Sequence, residues 1–529
     1  MADAIAAPSV LPPADSERGK RFVLNVFWNW LGVGVGIVSG VLLSPYMIHK
    51  LGPEGYGVWA LSFSVVENYW FLDLGFRSAL VKYVAHYWAL GELDKVQEVV
   101  NTAIAIAGAT ASLVFVLVAF GARHLDRFFQ VSPEYRSSFF TLVLLISASW
   151  CFSAVFGLFG AGLESLQRFD YYNRILVITT TLRSPGTLLL LYWGYGLVEI
   201  GILVVASQIL GYLLHFYYFR KVFPGYRMSL GGARLAMVRQ MGSYGIHNFL
   251  GNVSTQLSNQ GPAILIGHFL PAAFVGYFQI PVRLLQYTGE AVGRIGVITN
   301  SNAAELVAKG EHGALSQLAV YTNRYCVTLF LPLAILFYSH GTAFFGLWLP
   351  KAAAYASPLL PILLTSYLIS VVGQFSSGML LMGLARYRWY SRGLFVEALT
   401  VFGGLWLVLP RYGIVGAAWV TAAAMILNRG LFLPWLVSRV MNFKYLWFMN
   451  SIYTRPFLAA LPVYALAAWL SATILPGKSW VELLLVAVIV GCLYYALAIA
   501  ICLPPQHRAL LKNWIGRKIA RPSFAEQVT

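Results

Sequence analysis

The sequence predicts an all-α polytopic membrane protein of about 14 transmembrane helices, built as two pseudo-symmetric six-helix bundles followed by two C-terminal helices. Three observations carry this. Only 11% of the 529 residues are charged and 59% are hydrophobic, so most helices must tolerate apolar surroundings on every side. The apolar residues are gathered into runs of ~20 or more, the length that crosses the hydrocarbon core of a bilayer. Those runs also resemble one another at an offset near 218 residues.

The same composition excludes an ordinary soluble enzyme. A formal charge of +17 and a pI near 9.6 would suit a nucleic-acid binder if the basic residues formed one patch, but the 37 Lys and Arg punctuate apolar runs, so no nucleic acid is expected. Cys151, Cys326, Cys492 and Cys502 lie in or beside apolar stretches without CxxC or CxxxC spacing, so neither a metal nor a cofactor is expected.

Residues 1–21 form an N-terminal tail with Pro8, Pro12, Pro13 and the cluster Arg18, Lys20, Arg21. The apolar segment after it, about two dozen residues, exceeds the ~7–15 of a signal-peptide core, and no small-residue cleavage site follows. It therefore reads as the first transmembrane helix. Thirteen further segments follow, giving about 22–46, 55–76, 99–121, 138–162, 172–193, 197–219, 243–268, 274–298, 322–341, 354–383, 393–409, 413–437, 457–475 and 480–503. The organisation is then a tail at 1–21, a bundle at 22–219, a linker at 220–242, a second bundle at 243–437, two additional helices within 455–503 and a basic tail at 504–529. With the N-terminus inside, 26 Lys and Arg fall on the inner side and seven outside, which predicts that both termini are cytoplasmic. The longest polar excursions, about 220–242 and 299–321, are too short for a soluble catalytic domain.

Asn29-Trp30-Leu31-Gly32 recurs as Asn248-Phe249-Leu250-Gly251, an offset of 219, at which His49 also meets His268, Gly57 meets Gly276, and Gly91-Glu92 meets Gly310-Glu311. Arg168, Tyr172 and Arg174 match Arg386, Tyr390 and Arg392 at 218, and Tyr195-Gly196 matches Tyr412-Gly413 at 217. Each copy holds six crossings, an even number, so both enter from one side and are related by a two-fold axis along the membrane normal. That plan puts a functional cavity between the bundles and is the architecture of a transporter.

Polar residues collect on the spans that open each half. Asn248, Asn252, Thr255, Gln256 and Asn259 recur at helical spacing in the seventh, where amides facing hydrocarbon would be costly. Gln279, Arg283, Tyr287, Glu290 and Arg294 share a face of the eighth, Asn25 and Asn29 lie in the first, and Ser64, Glu67 and Asn68 in the second. An intramembrane arginine costs about 2.5–3.5 kcal/mol or more and ordinarily marks an ion or substrate path. Arg283 and Arg294 around Glu290 are either a self-contained ionic group with one surplus charge or part of such a path, and Arg294 is near enough to the span's end to snorkel. A surplus guanidinium in a wet cavity suits phosphate oxygens, and neighbouring amides and aromatic rings suit sugars. The substrate-binding candidates are therefore Arg283, Arg294, Glu290, Asn248, Asn252, Gln256, Asn259, Tyr287 and Asn29. Arg183 and Arg429 are weaker candidates that either pair locally or reach an interface. Glu67, Glu290 and Glu397 are the candidates for coupling to a proton or sodium gradient, or else fixed counter-ions for arginines. Asp73 is read as a cap or a partner for Arg77, and His49 and His268 as structural.

At Leu51-Gly52-Pro53-Glu54-Gly55-Tyr56-Gly57, followed by Phe71-Leu72-Asp73-Leu74-Gly75-Phe76, the sequence resembles the Wzx-type O-antigen and polysaccharide flippases of the multidrug, oligosaccharidyl-lipid and polysaccharide (MOP) exporter superfamily. The resemblance extends over the first twelve spans. It implies translocation of undecaprenyl-diphosphate-linked oligosaccharide across the bacterial cytoplasmic membrane by alternating access, with lipids and other polysaccharide-assembly proteins as partners. It also implies a cationic central cavity, which Arg283 and Arg294 suit by position, although neither matches a family motif residue by residue. A lipid II flippase and a multidrug antiporter are the nearest alternatives, and the basic surplus disfavours the second. A polytopic polymerase or glycosyltransferase is disfavoured by the lack of a DxD motif and of a large outer loop.

Overall fold

The computed structural model describes residues 15–67, 76–229, 234–384 and 386–509. Within these, side chains are described except at 15–30, 33, 67, 123, 126–127, 235, 243–252, 290–291, 294–295, 297–298, 301 and 387. The described residues form helices joined by short turns: α1 (Asp15–Glu67), α2 (Phe76–Ala89), α3 (Leu93–Phe128), α4 (Arg136–Ser165), α5 (Phe169–Tyr192), α6 (Leu197–Val222), α7 (Leu235–Phe269) and α8 (Ala272–Lys309). They continue with α9 (His312–Trp348), α10 (Ala353–Ala356), α11 (Leu359–Val371), α12 (Gly378–Gly383), α13 (Tyr387–Met425), α14 (Leu433–Val440), α15 (Tyr445–Ala472) and α16 (Trp480–Ile501). Two π-helical segments, Val372–Ser377 and Ile426–Phe432, link α11 to α12 and α13 to α14.

Ten stretches among the described residues are long and apolar enough to cross a membrane. Two of them contain a backbone break, at Gly52 (φ 75°, ψ 167°) and at Gly413 (φ 57°, ψ −151°), and so supply two crossings each. With α7 and α8, which at 35 and 38 residues far exceed the ~20 needed, these make up the fourteen crossings expected.

The internal repeat is written in the backbone. Gly91 and Gly310 both adopt the left-handed conformation, at φ 75° and 71°. Each donates its N–H to the carbonyl three residues back, Trp88 or Val307, and the following glutamate donates five residues back, to Tyr87 or Leu306. Equivalent helices also start alike: Arg168 at the N-cap of α5 has φ −96° and Arg386 at that of α13 has φ −98°.

The chain divides into two compact units. The first comprises Met1–Lys50, Tyr69–Leu125 and Ser137–Phe249. Its core joins Leu80 and Val84 of α2, Val99, Val100 and Ala103 of α3, and Leu158 and Phe159 of α4 to Phe219, Phe223 and Tyr226. The rings of Phe159, Phe219, Phe223 and Tyr226 interlock with centroids 5.4 to 6.2 Å apart. Buried Asn101 of α3 fastens the linker to this core. Its Oδ1 accepts from the Tyr226 hydroxyl at 2.8 Å and the Ser229 N–H at 3.3 Å, and its Nδ2 donates to the Arg227 carbonyl at 3.1 Å.

The second unit comprises Leu51–Asn68, Asp126–Arg136 and Leu250–Thr529. The compact units thus differ from the expected bundles 22–219 and 243–437, because two segments of the first repeat pack on the second. One reason is the end of α7, whose last carbonyls have no partner within the helix. Gln130 supplies both donors, its N–H to Gly267 O at 2.9 Å and its Nε2 to Phe269 O at 3.1 Å. His268 Nδ1 donates to Phe128 O at 2.8 Å while its ring stacks on Phe128, which gives this histidine a structural role. Elsewhere in the unit, α9 packs against α8, α11, α15 and α16.

Candidate substrate-binding residues

The second unit carries the described part of the polar stripe. On α7, Gln256 and Asn259 are half-buried, and their spacing of three puts them on one face. On α8, Arg283 and Tyr287 are half-buried and four apart, again one face. Pro281, just before Arg283, removes one N–H from the ladder of α8. Arg283 makes no hydrogen bond or ion pair among the described residues. The side chains of Asn29, Asn248, Asn252, Glu290, Arg294 and Glu67 lie outside the described residues, as does Asp73 entirely.

Glu397 and Arg429 form a different arrangement. Glu397 is 2% exposed and Arg429 7%. Arg429 Nη2 meets Glu397 Oε1 at 2.6 Å, Arg429 Nε meets Oε2 at 2.9 Å, and Asn428 Nδ2 also donates to Oε2 at 2.7 Å. Both carboxylate oxygens are therefore occupied by these donors. Asn428 and Arg429 lie in the π-helical segment, and both side chains reach the one carboxylate. A close approach seats the pair: a Cβ on Gly373 would fall 1.8 Å from the Arg429 carbonyl oxygen.

In the first unit, Arg77 meets Glu164 Oε1 at 3.3 Å and the Gly157 carbonyl at 3.5 Å, beside a cavity lined by Phe76, Trp150 and Ser153. Glu164 was not singled out from sequence. The His215 ring stacks on Tyr172 at 5.2 Å, with both nitrogens buried and without a hydrogen-bond partner among the described residues. Arg183 is half-buried on α5. No cluster of metal-ligating side chains occurs among the described residues, and all four cysteines are free thiols.

The fold is that of a multi-pass helical membrane protein, and solved structures share it. The lipid II flippase MurJ, in an inward closed conformation, is similar with a TM-score of 0.69 at 14% identity, covering 90% of this chain and 98% of its own. An inward-facing multidrug resistance MATE family transporter of the MOP superfamily gives 0.64 at 13% identity, covering 77% and 95%. At the level of sequence the chain belongs to the polysaccharide biosynthesis protein family, whose model matches residues 22–293. It is also 21% identical over 518 residues to the uncharacterized membrane protein EpsK of Bacillus subtilis (strain 168), an alignment that spans 93% of this chain and 98% of EpsK.

Proposed function

We propose that this protein is a flippase that moves an undecaprenyl-diphosphate-linked oligosaccharide from the inner to the outer leaflet of the bacterial cytoplasmic membrane, by alternating access, for cell-surface polysaccharide biosynthesis. The protein binds and releases its substrate without chemical change, and both termini are cytoplasmic. Family membership supports the polysaccharide context, and the likeness to MurJ and to MATE transporters supports the fold that alternating access needs.

The single observation that carries the substrate reading is Arg283. A half-buried guanidinium without a counter-charge among the described residues, on a membrane-length helix, is costly unless an anion is its partner. A diphosphate meets that need through paired N–H···O bonds, while Gln256, Asn259 and Tyr287 suit the hydroxyls and faces of the first sugars. Arg294, Asn248, Asn252 and Asn29 extend the same surface by their sequence positions. Glu67 and Glu290 are the carboxylates assigned to ion coupling, by proton or sodium.

The test is export of lipid-linked oligosaccharide by Arg283→Ala at normal expression. Loss of one charge-assisted contact of about 1.5–3 kcal/mol lowers flux roughly tenfold to a hundredfold. Arg283→Lys, a point charge without the fork, falls between. Wild-type flux in Arg283→Ala removes the head-group role. For coupling, Glu67→Gln and Glu290→Gln each lose the response to a collapsed proton or sodium gradient, and an unchanged response in both eliminates these carboxylates.

A further inference from the structure

Where α9 and α15 meet the end of α16 in the second unit, positive charge gathers without an ion-pair partner among the described residues. Arg324 of α9 is 6% exposed. It donates through Nε to the Ser451 carbonyl of α15 at 2.8 Å and through Nη1 to Cys502 O, at the C-cap of α16, at 3.3 Å. A guanidinium has five N–H donors, so these two bonds leave three without use. Arg455, one turn along α15 from Ser451, is exposed, and its like charge acts on Arg324. His507 lies beside them, its Nδ1 2.5 Å from the Tyr325 hydroxyl, and exposed Arg508 is next in the chain. Tyr321 completes the surround, its ring centroid 5.4 Å from the Arg324 guanidinium.

Among the described residues no carboxylate forms an ion pair with Arg324, Arg455 or Arg508. A purely structural role, tying α15 and the end of α16 to α9, accounts for two of the Arg324 donors. It accounts for nothing at Arg455 or Arg508, which bond to none of the described residues through their side chains. Two arginines brought together without a counter-ion repel each other unless an anion lies between them. On the basic-residue count this junction faces the inner side, at the depth where lipid phosphates lie and where tyrosines sit at the interface.

We propose that Arg324, Arg455, His507 and Arg508, framed by Tyr321 and Tyr325, form a binding site for the phosphate of an anionic membrane lipid where α9 and α15 meet the end of α16. The site is separate in sequence from the α7–α8 stripe and stands whether or not the transport reading holds. Its ligand is a lipid-borne phosphate, whose non-ester oxygens accept from the unused guanidinium donors and whose chains remain in the bilayer. Bulk anionic phospholipid and a polyprenyl phosphate carrier both supply that chemistry.

The experiment is native mass spectrometry of the full-length protein released from bilayers of defined composition, with Arg455→Ala/Arg508→Ala as the variant. Both side chains are exposed, so the variant keeps the wild-type thermal unfolding midpoint in detergent, which separates lost binding from lost folding. Wild type retains phosphatidylglycerol over phosphatidylcholine by about tenfold or more, each basic residue near the surface contributing a comparable increment, and the variant loses that preference. A parallel arm replaces phosphatidylglycerol with a polyprenyl phosphate; stronger retention in either arm identifies the source and supports the site. Equal retention by wild type and variant overturns the proposal. So does displacement of the lipid by inorganic phosphate at micromolar concentration, because the site would then recognise a soluble anion.

Discussion

Gly57 and Gly276, equivalent positions of the internal repeat, pack backbone against backbone. A Cβ on Gly57 would lie 1.9 Å from the Ala272 carbonyl oxygen, and one on Gly276 would lie 3.4 Å from the Gly57 nitrogen. The LGPxxYG segment thus has a physical reason for its last glycine: it lets the second half of α1 touch the start of α8.

Substitution here is therefore unequal in cost. In Gly57→Ala the new methyl collides with backbone, which cannot rotate away, and overpacking of this kind costs about 1–3 kcal/mol or more. In Gly276→Ala the nearest atom is the Tyr56 ring at 3.1 Å, a side chain that can yield by a few tenths of an ångström. The expected result is a clearly lower thermal unfolding midpoint for Gly57→Ala and a smaller drop for Gly276→Ala. Equal midpoints in the two variants would contradict the close approach.

The Glu397–Arg429 pair makes a prediction about stability. Removing one member leaves the other buried without its partner, at about 3–5 kcal/mol, whereas replacing both with apolar groups of similar volume is much less costly. Glu397→Leu alone and Arg429→Met alone should each unfold at markedly lower temperature, and the double variant should recover most of the loss. A double variant as unstable as the sum of the singles would mean that the two side chains act independently. Glu397→Gln should lose stability without a selective change in its response to an ion gradient.

Much of the fold was legible because its signals are local. Left-handed Gly91 and Gly310, and the N-cap arginines Arg168 and Arg386, fall where the repeat offset puts them, since sequence matches at turns record the same backbone conformations. Gln256 with Asn259 and Arg283 with Tyr287 were legible as faces because their stretches are regular helices. Asn428 was not, because its acceptor Glu397 lies 31 residues away on α13 and no local pattern links them. Arg324 was not singled out from sequence, yet α9, which begins at His312, buries it. Its acceptors, Ser451 and Cys502, lie 127 and 178 residues further on, beyond the reach of any local pattern. Glu164, 87 residues from Arg77, escaped notice for the same reason.

Asn101 offers a test of how the linker is held. Its side chain is 2% exposed and joins α3 to Tyr226, Arg227 and Ser229, while Gln97 Oε1 accepts from the Arg227 N–H at 3.1 Å and Thr102 Oγ1 from the Arg234 N–H at 3.3 Å. Four described backbone groups of the linker are thus bonded by three polar residues near the start of one helix, and Asn101 alone supplies both a donor and an acceptor. Asn101→Leu keeps a similar volume but strands the buried Tyr226 hydroxyl, at about 1–3 kcal/mol for an unsatisfied group. Tyr226→Phe removes that hydroxyl as well, so the double variant Asn101→Leu/Tyr226→Phe should regain part of the stability lost in Asn101→Leu. Limited proteolysis within 223–234 measures the same effect locally: cleavage should be faster in Asn101→Leu than in wild type and intermediate in the double variant. Unchanged cleavage in Asn101→Leu would show that the aromatic packing of Phe223 and Tyr226 holds the linker without these bonds.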